Sequence, residues 1–274
     1  MRVALVLYGQ PRFLDNPHTL ESHRRFLLDR HDTDVFCHTW WDANLAGYDA
    51  TFVEGQVPPD SDAISKITAG YTPSALAYEP PRKFEFPTEA RKAVASKFSA
   101  DRWNARVENN LASQFYSLEA AANLVNVPTA YDFIVVTRLD VPMASFPSLA
   151  TLSSRKFYVS DAHPRFPDFI FVFGPQFLAS QKIYSRLQNL IADRLDAMPD
   201  ICGEYIKYAS FIDLFDKSNI RPAYMPGIPV RSSSQPPVAA TSWLSRKRAQ
   251  LVLRTRGLRA LGRDIPLPPR RQLY

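Results

Sequence analysis

The segment 131–140 joins an apolar, strand-forming run to an arginine and an aspartate two positions apart. Side chains alternate along a strand, so Arg138 and Asp140 are predicted to point to the same face. A guanidinium group suits a diphosphate, and a carboxylate suits a divalent metal or a ribose hydroxyl. In open α/β sheets ligands bind outside the carboxyl ends of the strands, where this pair would lie. A surface salt bridge at a strand end is the alternative, and the segment alone favours neither.

A second group of candidate binding residues, Gly9, Gln10 and Arg12, follows an apolar run at 2–7. Glycine lets a backbone approach a ligand closely, and arginine can hold a phosphate through two parallel hydrogen bonds. The alternative is a rigid strand-to-helix turn with an exposed arginine, which these residues alone favour.

The third group lies at the end of the predicted strand 34–38. His38 is the last residue of this strand, and Trp40, Trp41 and Asp42 follow it. A tryptophan here is predicted to stack on a base or a sugar ring, and Asp42 to contact a ribose. The indoles would equally fill the top of the core, which is the commoner use of tryptophan. A lone histidine on an apolar strand is more often a hydrogen-bonded core residue than a catalyst.

Two carboxylates are candidates for the general base that activates an acceptor hydroxyl. Asp168 lies where a proline-rich loop meets an apolar run, an environment that can tune a carboxyl pKa. Glu204 begins a predicted helix, where the helix dipole already explains a negative charge. Asp161 and His163 lie close to Asp168 in sequence, but a metal triad needs a third ligand that the sequence does not identify.

The hydrophobic pattern predicts an alternation of strands and helices, and therefore a parallel sheet with right-handed crossovers. Residues 54–74 read as loops with one short helix. The predicted strands are 2–7, 34–38, 75–78, 132–140, 156–160, 168–174 and 220–225. The predicted helices are 19–30, 101–125, 177–198 and 203–217.

Several function classes lack their sequence signals. The two cysteines, Cys37 and Cys202, form neither a disulfide framework nor a zinc pattern, and they suit a reducing compartment. Neither dinucleotide-binding nor P-loop glycine motifs occur, and there is no G-x-S-x-G nucleophile motif. Apolar runs are too short for a membrane span, and 3–7 is too short for a signal peptide. We therefore expect a cytoplasmic protein.

Charge is concentrated at the end of the chain. From Arg246 onward there are nine arginines and lysines and one aspartate, a net charge of +8, whereas the whole chain carries +6. Residues 1–245 therefore carry a net charge of −2, which argues against a nucleic-acid-binding face. Within 244–274 the leucines fall near one helical face among arginines, which predicts binding to an anionic membrane surface. A solvated helix or a disordered tail are the alternatives.

Four segments together resemble a known group of enzymes. Residues 7–12, 34–40, 131–140 and 168–174, in that order, are similar to the motifs of bacterial and viral glycosyltransferases of the GT-A type, which are linked to surface-polysaccharide synthesis. The resemblance spans about residues 1–225, and each motif is short.

The resemblance implies an α/β fold, GT-A-like, with a Rossmann-type mixed, mostly parallel sheet flanked by helices and binding a nucleotide sugar. Arg138-Leu139-Asp140 occupies the place where GT-A enzymes carry Asp-x-Asp. A divalent metal, Mn or Mg, would then be held by Asp140 together with the donor phosphates. Arginine in the first position of that motif puts metal dependence in doubt.

These features lead to the hypothesis of a glycosyltransferase that moves a sugar from a nucleotide-diphosphate donor to an acceptor hydroxyl. We expect a catalytic domain at 1–230 and a basic tail at 231–274. The acceptor would be a glycan or a lipid-linked glycan, with the tail on the inner membrane face. The alternative is a non-catalytic module that binds nucleotide or glycan and is recruited through its basic tail. The predicted site residues are Asp168 and Glu204 as bases, and Gly9, Gln10, Arg12, Trp40, Asp42, Arg138 and Asp140 around the donor.

Overall fold

The structure is a computed structural model that describes most of the chain. The described residues are 1–44, 47–49, 56–57, 60–86, 88–99, 103–160, 169–195, 198 and 201–227. Asp161, His163 and Asp168 lie outside the described residues. So do the predicted domain boundary at 230 and the basic tail, including the segment 244–274.

Nine strands and six α-helices are present in the described part of the chain. The strands are β1 (Arg2–Gly9), β2 (Asp32–Trp40), β3 (Tyr48–Asp49), β4 (Gln56–Val57), β5 (Ala75–Glu79), β6 (Phe133–Arg138), β7 (Phe157–Ser160), β8 (Ile170–Phe173) and β9 (Ile220–Ala223). The helices are α1 (Pro17–His23), α2 (Ala63–Tyr71), α3 (Thr88–Lys97), α4 (Ala105–Asn123), α5 (Leu187–Arg194) and α6 (Gly203–Leu214). Within these residues, no helix combines the length and the hydrophobicity needed to cross a bilayer.

Seven of the strands form one sheet in the order β5-β2-β1-β6-β8-β7-β9. Strands β5, β2, β1 and β6 are parallel to one another, and β7 is parallel to β9. Strand β8 runs antiparallel to both β6 and β7. The predicted fold class, a mixed and mostly parallel sheet flanked by helices, is confirmed.

The central strands are apolar because helices cover both faces of the sheet. Residues 3–8 of β1 are all buried, as are the first five residues of β6. A strand buried on both faces needs a continuous apolar run rather than an alternating one. One face carries a core with Phe115, Ile191 and Phe211 from the helices, and the other carries Leu27 and Ile67.

Helix α4 lies directly against β1 and β2. Asn104 begins it, because its side-chain oxygen accepts hydrogen bonds from the backbone N–H groups of Arg106 and Val107, both at 3.1 Å. The predicted apolar periodicity is confirmed, and Phe115 and Leu118 are fully buried.

Two predicted elements are wrong in extent. The predicted helix 177–198 is interrupted: 3₁₀ turns occupy Pro175–Gln181 and Tyr184–Arg186, and only Leu187–Arg194 is α-helical. The Ser210 hydroxyl of α6 donates to the carbonyl of Ser180 at 2.8 Å, a tertiary contact that periodicity does not reveal. The predicted strand 132–140 ends at Arg138, and Asp140 lies in the turn beyond it.

The turn after β6 is fastened to α1 and α2 by a buried histidine. His23 bonds the carbonyl of Val141 through Nε2 at 3.1 Å and the hydroxyl of Tyr71 through Nδ1 at 3.0 Å. A carbonyl only accepts, so Nε2 donates to Val141. The buried ring is neutral, and Nδ1 therefore accepts from the Tyr71 hydroxyl. Burial lowers the pKa of His23 to about 4, against a partial opposing effect of the bond to Val141.

We expect His23→Gln to reduce the acid sensitivity of folding. The unfolded chain protonates its histidine near pH 6.5, whereas folded His23 resists protonation down to about pH 4. The free energy of unfolding should therefore fall by about 3 kcal/mol between these pH values in the wild type, through this group alone. Urea unfolding at several pH values measures the difference. An unchanged pH dependence in His23→Gln would contradict the assignment.

Candidate functional site

The predicted pair at the end of β6 is joined by a two-pronged ion pair. Arg138 donates from Nε to Oδ1 of Asp140 at 2.8 Å and from Nη2 to Oδ2 at 2.7 Å. This parallel geometry is the strongest that a guanidinium and a carboxylate form. Asp140 is only 2% exposed, so the pair is a built internal contact rather than a surface salt bridge.

The loop after β1 brings a second guanidinium to the same carboxylate. Arg12 donates from Nη2 to Oδ2 of Asp140 at 2.5 Å, across 128 positions of sequence. The contact forms because β1 and β6 are adjacent and in register, with Tyr8 opposite Arg138. The side chains of Arg12 and Arg138 are 12% and 20% exposed, so both reach the edge of the site. These three residues are called the arginine cluster below.

Two opposing effects act on the carboxyl group of the arginine cluster. Burial by itself would raise the pKa of Asp140, but the charges and hydrogen bonds of Arg138 and Arg12 lower it to about 2. Asp140 is therefore ionised at neutral pH. Two guanidinium groups and one carboxylate leave the cluster with a net charge of +1, at the carboxyl ends of parallel strands.

The loop that carries Arg12 has an unusual backbone. Gly9 has φ of +105°, a conformation that side chains other than glycine rarely adopt, and Phe13 has φ of +56°. The N–H of Arg12 bonds the carbonyl of Gln10 at 2.9 Å, which makes the loop tight. The backbone at position 9 therefore favours glycine, and the approach of a ligand to Gly9 stays a prediction.

A buried chain of hydrogen bonds holds Gly9 in place. The Gly9 N–H donates to Ser117 Oγ at 2.9 Å, and Ser117 Oγ bonds His38 Nδ1 at 2.9 Å. His38 Nε2 bonds Glu79 Oε1 at 3.0 Å, and the carbonyl of Gly9 accepts from the Thr39 hydroxyl at 2.8 Å. Strands β1, β2 and β5 and helix α4 are therefore linked at the base of the loop.

This chain has the residue types of a hydrolase triad, but its geometry is structural. Ser117 is fully buried, and its oxygen already accepts the N–H of Gly9. Burial lowers the pKa of His38, partly opposed by Glu79, so the ring is neutral at pH 7. The interpretation of His38 as a satisfied core histidine is the one that the contacts support. Ser117 was missed from the sequence because nothing local distinguishes it in α4.

A buried lysine from α6 also reaches this edge of the sheet. Lys207 is 3% exposed, donates from Nζ to the Tyr8 hydroxyl at 2.8 Å, and lies 5.3 Å from the ring centroid of Phe171. Tyr8 is opposite Arg138 in register, so the lysine contacts the β1 residue that pairs with the end of β6. Sequence reasoning missed it, although a lysine next to the inward-facing Ile206 is the available signal.

The other predicted site residues take different positions. Trp40 is 2% exposed and packs against His38 and Tyr116, as in the core-filling alternative, whereas Trp41 is half-buried. Asp42 is half-buried and accepts the N–H of Asn44 at 2.7 Å. Asp42 therefore stays a candidate at the surface beside the loop, and Trp40 has no open face.

The two predicted bases are not joined to the arginine cluster by any described contact. Glu204 is half-buried in the first turn of α6, and within the described ranges no hydrogen bond or ion pair links it to the cluster. Its place at a helix N-terminus fits the structural alternative. Asp168 lies outside the described residues.

The donors of the arginine cluster do not fit a divalent metal. Both oxygens of Asp140 already accept guanidinium N–H groups, and an ion bound there would sit beside two positive charges. Among the residues with described placement, no group of three or more His, Cys, Asp or Glu side chains could hold a metal ion. A metal ion at Asp140 would therefore compete with three guanidinium hydrogen bonds for the carboxylate oxygens.

No family model and no curated protein matches this chain. Among solved structures, the chain is similar to core-mannan synthase A from Aspergillus fumigatus in its Mn/GDP form. The two share 8% identity with a TM-score of 0.46, over 89% of this chain and 82% of that one. A likeness of this extent carries no argument about the activity or ligands of this chain, which have to be inferred from its own residues.

We expect Ser117→Ala to destabilise the protein by about 1–3 kcal/mol, because it leaves the part-buried N–H of Gly9 and the buried Nδ1 of His38 without this partner. The variant should also weaken any ligand binding that depends on the loop of Arg12. Urea unfolding measures the first effect. Ser113→Ala, one turn earlier on α4 and half-buried, is the matched control and should change stability by less than about 0.5 kcal/mol. Equal effects of the two substitutions would contradict the assigned contact.

Proposed function

We propose that this chain is a glycosyltransferase that moves a sugar from a nucleotide-diphosphate donor to an acceptor hydroxyl. The observation that carries the proposal is the convergence of Arg12 and Arg138 on the buried carboxylate of Asp140. The sequence resemblance to GT-A enzymes supports the same reading, with surface polysaccharide or another glycan as the product.

The arginine cluster has the charge that the departing group needs. When the bond between sugar and diphosphate breaks, negative charge accumulates on the leaving phosphate oxygen. Guanidinium groups held in place beforehand stabilise that charge without reorganisation. Asp140 holds Arg12 through Nη2, and the Nε of Arg12 has no acceptor among the described residues. Arg12 therefore keeps hydrogen-bonding capacity for a phosphate oxygen.

The rest of the donor would lie along the loop after β1. Gly9 has a left-handed backbone conformation and Gln10 is half-buried, at the carboxyl end of β1. Phosphate oxygens could approach the backbone closely there, because glycine has no side chain. Asp42 follows the adjacent strand β2 and is the candidate for a ribose hydroxyl. Trp41 is half-buried and has exposed surface on which a base or a sugar ring could stack, whereas Trp40 is buried.

For an inverting reaction a base must take the proton from the acceptor hydroxyl. Asp168 is the stronger candidate, since the dipole of α6 already accounts for Glu204. Asp168→Asn should then abolish transfer while leaving donor binding intact, and Glu204→Gln is the comparison variant.

We expect Arg138→Gln and Arg12→Gln each to lower kcat/KM for transfer or donor hydrolysis by about 100-fold, because each removes one guanidinium from the leaving group. The measurement is release of nucleoside diphosphate from a panel of nucleotide sugars. Arg25→Gln, an exposed arginine on the α1 side of the sheet, is the control and should keep wild-type turnover. Normal turnover in both cluster variants would overturn the proposed role.

The alternative is a non-catalytic module that binds nucleotide or glycan, and arginine in place of the first aspartate of Asp-x-Asp is the feature that favours it. The same nucleotide-sugar panel separates the two. Thermal stabilisation by a nucleotide sugar without hydrolysis or transfer would support the module and contradict the enzyme.

The basic segment 244–274 is proposed to hold the protein on anionic lipid, close to a lipid-linked acceptor. We expect the full chain to co-sediment with vesicles of anionic lipid and to release them at high salt, because the attraction is electrostatic. Deletion of residues 244–274 should remove most of the bound fraction. An unchanged pellet after deletion would contradict membrane attachment through the tail.

A further inference from the structure

We infer that the diphosphate site of this protein works without a divalent cation, and that Asp140 is a positioning residue for Arg12 and Arg138 rather than a metal ligand. The inference rests on the proposed function, since it concerns the same site. It departs from the metal that an Asp-x-Asp motif would imply.

Both carboxylate oxygens of Asp140 are already hydrogen-bonded to arginine. Oδ1 accepts from Arg138 Nε, and Oδ2 accepts from both Arg138 Nη2 and Arg12 Nη2, at 2.5–2.8 Å. The residue is 2% exposed and its pKa is held near 2 by these partners, after burial has acted in the opposite direction. A metal ion at Asp140 would compete with these three hydrogen bonds and would lie beside two guanidinium charges.

The cluster is positively charged without a metal ion. In a metal site the carboxylate holds the cation and the cation attracts the phosphate, whereas here the negative charge of Asp140 is already neutralised by arginine. The net charge of +1 is present before any ion binds. Arginine thus occupies the position of the first aspartate of Asp-x-Asp and supplies directly the charge that an ion would bring.

Asp140 fixes the two guanidinium groups, one from the loop after β1 and one from the end of β6. Fixed donors bind an anion at a smaller entropic cost than mobile ones. Arg12 contributes Nη2 to Asp140, while its Nε has no acceptor within the described residues. The carboxylate therefore holds Arg12 in place without using up its donors.

The test is the affinity for GDP and UDP, measured by calorimetry on the full chain in EDTA and again in excess Mn²⁺ or Mg²⁺. We expect the better of the two nucleotides to bind with dissociation constants that agree within about threefold in the three buffers. Arg12→Gln should weaken binding by about tenfold or more in all of them.

Asp140→Asn distinguishes a positioning residue from a metal ligand. A metal ligand is needed only when the metal is present, whereas an anchor for arginines is needed in EDTA as well. We expect the same loss, about tenfold, with and without metal. We also expect a steeper dependence on ionic strength, because the cluster changes from +1 to +2; a merely structural loss would not steepen it. Asp132→Asn, exposed at the other end of β6, is the control and should bind as the wild type does.

The outcomes are distinct. Wild-type binding that strengthens tenfold or more with Mn²⁺ or Mg²⁺ would overturn this inference and leave the proposed glycosyltransferase standing. Absence of binding to either nucleotide in every buffer would overturn both. The comparison between buffers uses the wild-type chain, so it holds even if a variant fails to fold.

Discussion

The contact between one buried carboxylate and two guanidinium groups joins the segments that follow the central strands β1 and β6. Asp140 ties the turn after β6 to the loop after β1, and these two strands are neighbours. A carboxylate with so little exposure is tolerated only because each oxygen is hydrogen-bonded to a cation. The same constraint presents two arginines at the carboxyl ends of parallel strands, so a structural requirement and a binding site coincide.

Much of the surrounding structure keeps this contact in place. His23 holds the turn after Asp140 to α1 and α2, and the chain through Ser117 and His38 holds the base of the arginine loop to α4. Both histidines are buried and neutral, since burial lowers their pKa values. These two histidines and Ser117 therefore link neighbouring elements through hydrogen bonds inside the protein.

The arrangement also bears on how a single substitution changes a site. With a carboxylate at position 138, the strand end would present two anions and would require a cation. With Arg138 the anion is neutralised within two residues, and the remaining positive charge comes from Arg12. The proposed chemistry, stabilisation of a departing diphosphate, needs positive charge at this place and is indifferent to its source.

The sequence by itself determined the strands of the seven-stranded sheet and the candidate cluster residues, because long apolar runs and abrupt changes to charge are local signals. It also placed Gly9, Arg12, Arg138 and Asp140 at strand ends, which sufficed to suggest one site. Only the tertiary structure decided that Arg12 shares the carboxylate of Asp140 and that Trp40 belongs to the core. It likewise decided the reversal of β8 and the buried positions of Ser117 and Lys207. These depend on which strands become neighbours, and contacts more than a hundred positions apart leave no trace in local periodicity.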